Sequence, residues 1–207
     1  MARFEGKVAL VTGAARGLGR VTALAFAREG AKVALADIDE AGGRETLDMI
    51  RAAGGEGLFT PADVRIEREV EAMVAKTVEA YGRLDCAVNN AGVVRFKPIA
   101  EETEEGFNFH IDVNLRGVFF CMKHEIRQMR QNGGGAIVNQ SSITGSLTGN
   151  PAEGAYAASK GGRRRPDQDR RARGRQGQYQ RQRHLRLRHR RARRRLPSMD
   201  GEGAHQP

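Results

Sequence analysis

The chain predicts an α/β fold, a doubly wound parallel sheet of the Rossmann-like type. Three observations predict it: short apolar runs alternate with helical patterns as far as residue 160, the first run enters a glycine-rich turn, and an acidic residue closes the second run. With 207 residues the chain is long enough for one sizeable core, and its pattern shows no second one.

The elements follow in order. Val8 to Val11 form a buried strand that runs into Gly13, Gly17 and Gly19. Glycines there remove the side chains that would keep a pyrophosphate from the backbone N–H groups. The next helix, with Leu18, Val21, Leu24 and Ala25 expected on one packed face, points its positive dipole end at that anion. A glycine-rich turn alone also serves purely steric ends, so its meaning depends on the rest of the chain. Asp37 ends a second strand, Val33 to Ala36, where an acidic side chain can accept hydrogen bonds from an adenosine ribose. Asp63 and Val64 follow a third strand, and Asn89-Asn90-Ala91-Gly92 closes a fourth, Leu84 to Val88. Asn114 lies in a helix, Ser142 follows a fifth strand, Ala136 to Asn139, and Tyr156-Ala-Ala-Ser-Lys160 begins a further helix.

Tyr156 and Lys160 are four residues apart and share one helix face. At about 6 Å and an effective dielectric of about 20, an ammonium attracts a phenolate by roughly 3 kcal/mol, enough to make a phenol useful as an acid or base.

Thr12-Gly13-x-x-x-Gly17-x-Gly19, Asn90-Ala91-Gly92, Asn114, Ser142 and Tyr156-x-x-x-Lys160 occur in the order of the classical short-chain dehydrogenase/reductase family, which residues 1–160 resemble. The resemblance implies an oxidoreductase that binds a nicotinamide dinucleotide and interconverts a secondary alcohol and a ketone, with a small-molecule substrate. It implies catalytic roles for Asn114, Ser142, Tyr156 and Lys160: Tyr156 moves the hydroxyl proton, Lys160 tunes it and binds ribose, Ser142 orients the substrate oxygen, and Asn114 holds a water. Ser142 could instead cap a turn before Gly145, and Asn114 could bridge helix to sheet. The cofactor residues implied are Gly13, Arg16, Gly17, Leu18, Gly19, Asp37, Asp63, Val64, Asn90, Ala91 and Gly92, together with Tyr156 and Lys160. Asp37 repels a 2′-phosphate and favours NAD, whereas Arg16 in the turn is the feature that would admit NADP. Val93, Val94, Phe96, Ile143 and Leu147 are expected to line an apolar wall of the substrate pocket. A homo-oligomer belongs to the intact family form.

The start carries no hydrophobic signal region and no apolar run reaches membrane-spanning length, so a cytoplasmic protein without membrane contact is expected. Cys86 and Cys121 read as small core residues, and His110 and His124, lacking metal-ligand company, as structural; no metal site is predicted.

The net charge of +10 would suggest an anionic partner, but its distribution removes that reading. Residues 1–160 hold 19 Lys and Arg against 21 Asp and Glu, whereas residues 161–207 hold 16 Arg, no Lys and four acids. After Lys160 the apolar pattern stops, and Gly161, Gly162 and Pro166 end the helix. The expected domains are thus 1–162, a dinucleotide-binding catalytic domain truncated after the start of its active-site helix, and 163–207, an Arg-rich tail unable to bury a core and expected to be disordered.

A reading-frame shift accounts for Arg without Lys. If Gln180-Arg181-Gln182-Arg183 is encoded CAA CGT CAA CGC, dropping one nucleotide gives Asn-Val-Asn-Ala, a motif of the type the family carries beyond this helix. Arg163-Arg164-Arg165-Pro166-Asp167-Gln168 as CGT CGT CGC CCT GAC CAA likewise gives Val-Val-Ala-Leu-Thr, an apolar helix continuation. On this reading the chain as written lacks turnover and leaves a sheet edge uncovered, a condition that favours aggregation. The alternative is a non-catalytic fragment or dinucleotide-binding module with a basic arm for nucleic acid, which interleaved aromatics would support; Tyr179 is the tail's only one.

Overall fold

The structure, a computed structural model, describes residues 2–145 and 147–162. The expectations placed on residues 163–207 lie outside the described residues.

Five parallel strands form one sheet in the order β3-β2-β1-β4-β5. They are β1 Val8–Thr12, β2 Lys32–Asp37, β3 Gly57–Pro61, β4 Cys86–Asn89 and β5 Ala136–Asn139. The helices between them are α1 Gly17–Arg28, α2 Glu40–Ala52, α3 Glu67–Tyr81, α4 Glu104–Ile111 and α5 Val118–Gln131, with α6 Gly154–Gly161 after β5.

The central strand is buried along its whole length because helices cover both faces, and Val8 to Val11 are accordingly apolar, with Thr12 at its carboxyl end the one polar side chain. Its side chains alternate between two cores. Leu10 joins Ala34, Ala36, Val70, Met73, Ala87, Cys121 and Met129 on the α3 and α5 face. Ala9 and Val11 join Val33, Leu35, Leu47, Ile50 and Val88 on the α1 and α2 face. Val138 pairs in register with Val88 yet is 52% exposed, so the second face is open at β5 among the described residues.

Two sequence expectations change here. Leu84 is fully buried but precedes the fourth strand, which starts at Cys86, and Cys86 is only partly buried. Leu18 and Val21 are 65% and 63% exposed rather than packed. The face of α1 laid on the sheet carries small residues, Gly19 and Ala23, because the helix must approach the glycine turn closely.

The strand order reverses between β1 and β4, and the crevice of a doubly wound sheet opens at the carboxyl ends of such a strand pair. Asp112–Gly117 form a π-helical turn joining α4 to α5, a local widening that places Asn114 beside this crevice.

Behind the crevice lies a buried polar cluster that the sequence did not announce. Asn89 Nδ2 donates to Glu125 Oε2 at 3.0 Å and to Asn139 Oδ1 at 2.9 Å, while Glu125 Oε1 and Asn89 Oδ1 have no partner. Burial pushes the Glu125 carboxyl up to about 7 against the lowering effect of the Asn89 amide. A proton on Oε1 is the donor that this pair of oxygens lacks. The folded state therefore holds the proton more tightly than the unfolded chain, whose carboxyl titrates near 4.5. This contribution to stability is complete below pH 4.5 and is lost as pH rises through about 7, a difference of order 3 kcal/mol. Glu125→Gln should abolish that part of the pH dependence, as read by urea midpoints between pH 5 and 8; an unchanged slope would place the titration elsewhere.

Candidate active site

The glycine turn is built on steric necessity. Gly13 has φ +66°, and a Cβ there would lie 2.8 Å from Ala91 Cα. At Gly19 a Cβ would come within 1.9 Å of the Gly13 carbonyl oxygen, so helix α1 starts against the turn itself. Arg16 occupies the cap position in extended conformation without a side-chain cap, leaving the first amides of α1 without that acceptor. Gly19→Ala is expected to push the turn open, measured as a lower melting temperature of the variant against the parent chain.

Asn90 clamps this turn to the end of β4. Its Nδ2 donates to the Thr12 and Gly13 carbonyls at 3.1 and 3.0 Å, and Thr12 Oγ1 accepts from the Asn90 and Ala91 amides, both at 3.2 Å. Asp37 ties the turn from the other side: Oδ2 accepts from the Ala15 amide at 2.9 Å and Oδ1 from the Asp39 amide at 3.0 Å. Each oxygen keeps lone-pair capacity toward a ribose diol. Arg16 is exposed at the same turn.

Asp63 is held more tightly than its sequence position suggested. Its carboxylate accepts from the Arg65 amide at 2.9 Å and from Nε and the guanidinium in a fork. Burial pushes this carboxyl up, but the Arg65 hydrogen bonds outweigh it and hold it below the usual range. Val64 beside it is buried in the α3 face core.

The second half of the site is centred on Asn114, which is fully buried. Its Oδ1 accepts from the Val93 amide at 2.9 Å, and its Nδ2 donates to the Val93 carbonyl at 2.8 Å and to Ser159 Oγ at 3.0 Å. Ser159 donates to the Tyr156 carbonyl at 2.7 Å. Asn114 thus joins the loop after β4 to α6, a bridging function alongside any role toward water. Lys160 is 4% exposed; its Nζ donates to the Gln140 carbonyl at 3.1 Å and lies 5.7 Å from the centre of the Tyr156 ring. A Cβ on Gly92 would stand 3.1 Å from Asn114 Oδ1 and 3.4 Å from Lys160 Nζ, which locates all three around one point.

Ser142 follows β5 in the loop leading to α6, and its Oγ accepts from the Thr144 amide at 3.2 Å, the turn-capping alternative. Val94, Phe96, Ile143 and Leu147 are all exposed, at 46%, 66%, 67% and 81%, while Val93 packs partly against the core. Ser159 is the site residue sequence reasoning missed; its signal was a position three residues after Tyr156, where a hydroxyl can reach back to the preceding turn.

Among the described residues no group of three His, Cys, Asp or Glu side chains could hold a metal ion, and no helix is long and apolar enough to cross a membrane.

The short chain dehydrogenase family pattern matches residues 7–165. An uncharacterized oxidoreductase of Thermotoga maritima is 47% identical over 157 residues, 76% of this chain and 61% of that protein. A 3beta-hydroxysteroid dehydrogenase of Mediterraneibacter gnavus is 45% identical over 161 residues, 77% of this chain and 58% of that protein. A crystal structure of a short chain dehydrogenase/reductase from Burkholderia phymatum in complex with NAD superposes with a TM-score of 0.74 at 36% identity, covering 78% of this chain and 57% of that one. The chain therefore spans about three-fifths of the length of the curated relatives it matches.

Proposed function

Because the chain belongs to the short chain dehydrogenase family, we propose that residues 1–162 are the dinucleotide-binding catalytic part of an oxidoreductase that interconverts a secondary alcohol and a ketone. The observation that carries this reading is the convergence of Gly92, Asn114 and Lys160 at the mouth of β4, with Tyr156 one turn from Lys160.

The residues fit a nicotinamide dinucleotide. Uncapped amides at the start of α1 suit its pyrophosphate, the carboxylate of Asp37 suits a ribose diol and opposes a 2′-phosphate, and NAD is accordingly the cofactor assigned. When bound, the dinucleotide supplies or accepts the hydride. The protein's own part is proton chemistry and positioning. The Tyr156 hydroxyl gives a proton to the ketone oxygen or takes it from the alcohol. Lys160 places its charge 5.7 Å from the centre of the Tyr156 ring, and its hydrogen bond to the Gln140 carbonyl fixes where that charge sits. Ser142 orients the substrate oxygen once its hydroxyl turns from the Thr144 amide. Leu18, exposed beside the glycine turn, and Val94, Phe96, Ile143 and Leu147 supply apolar surface to cofactor and substrate.

NADH consumption against a panel of cyclic and acyclic ketones tests the reading. A chain completed beyond residue 162 should oxidise NADH with at least one of them, and failure with every carbonyl despite measurable NADH binding would remove the oxidoreductase assignment.

A further inference from the structure

The helix that carries Asn114 into the site also carries a fully buried histidine one turn earlier, to which the reaction assigns no task. His110 Nδ1 lies 2.8 Å from the Gly106 carbonyl, and the Arg95 amide donates to Nε2 at 3.0 Å. A carbonyl can only accept, so Nδ1 bears the hydrogen; an N–H can only donate, so Nε2 does not. Both contacts are satisfied only by the neutral imidazole in its Nδ1–H form. The edge of the same ring meets the Tyr156 ring, with centroids 6.5 Å apart and planes inclined by 69°.

His110 and Asn114 thus form two rungs of one brace. Asn114 grips Val93 and reaches α6 through Ser159; His110 grips Arg95 and reaches α6 through the Tyr156 ring. We infer that His110 is a positioning residue, whose ring nitrogens fix the segment 93–95 after the Asn-Ala-Gly turn and whose ring, in T-shaped contact, fixes Tyr156. Its importance for turnover rests on the function proposed above, but the two contacts can be tested without it.

Hydrogen–deuterium exchange of the 207-residue chain, followed by mass spectrometry, separates the two arms. His110→Phe keeps the ring and removes both nitrogens: exchange in residues 93–97 should accelerate about tenfold, the effect of losing one net hydrogen bond, while residues 154–161 stay within twofold. His110→Gln keeps an acceptor near Nε2 and removes the ring, so protection at 93–97 should be retained and residues 154–161 should exchange faster. His110→Ala should loosen both segments. Unchanged exchange at 93–97 in the Phe variant, or loss of protection there in the Gln variant, would overturn the inference. Should His110→Phe loosen the whole chain, the Gln variant decides alone by the same criterion. A parent chain that bound no dinucleotide yet gave this exchange pattern would refute the proposed function and leave the brace standing.

Discussion

Tyr156→Phe is expected to lower turnover about a thousandfold in a chain completed beyond residue 162, the range lost with a positioned general acid, while the dissociation constant for dinucleotide changes less than about twofold. The ring remains to meet His110, and the helix that holds it is unaltered, so the missing hydroxyl is the whole change. Lys160→Ala is expected to impair both quantities, because its ammonium stands within reach of Gly92 and Asn114 as well as above the Tyr156 ring. Steady-state kinetics with a ketone found active, together with direct titration of the dinucleotide, separate the two variants. Near-normal turnover of the Phe variant would mean that another group moves the proton.

The second large effect concerns residues 163–207. Replacing them with the translation of the neighbouring frame is expected to raise turnover from undetectable to measurable, provided the codons are those that yield Val-Val-Ala-Leu-Thr and Asn-Val-Asn-Ala where the present chain has Arg-rich sequence. The open face of β5 gives this a structural motive: Val138 is an apolar residue of an otherwise covered sheet face, and an apolar helix continuation would have somewhere to pack. Determining the coding DNA around codons 160–165 is the prior check. A neighbouring frame without an open, Val- and Ala-rich continuation would remove the proposal, and turnover by the 207-residue chain itself would show that the tail completes a working site.

The glycine turn and the doubly wound parallel sheet were legible in the sequence because each depends on local requirements. A Cβ cannot be fitted at Gly13 or Gly19, and a central parallel strand has to be apolar on both faces. The packed face of α1 was misread because periodicity counts large apolar side chains, whereas close approach to the turn selects Gly19 and Ala23 and leaves Leu18 and Val21 outside. Asn114 was found as a motif, but its hydrogen bonds to Val93 and Ser159 join residues distant in sequence, and the π-helical turn that carries it has no local sequence signal. Nothing in the sequence marks Glu125 on α5, since only the pairing of β4 with β5 brings Asn89 and Asn139 together beside it. His110 was read as structural on its lack of metal-ligand company, which says nothing of a neighbour forty-six residues further along, Tyr156.

On the function proposed above, residues 1–162 form a dinucleotide site with Asp37 at its ribose end. Calorimetric titration of the 207-residue chain with NAD and with NADP, at equal salt, tests it most directly. Binding of one NAD per chain is expected, with NADP at least tenfold weaker because the Asp37 carboxylate opposes a 2′-phosphate. Tighter binding of NADP would show that Arg16 outweighs Asp37, and binding of neither by a folded chain would contradict the assignment of the site.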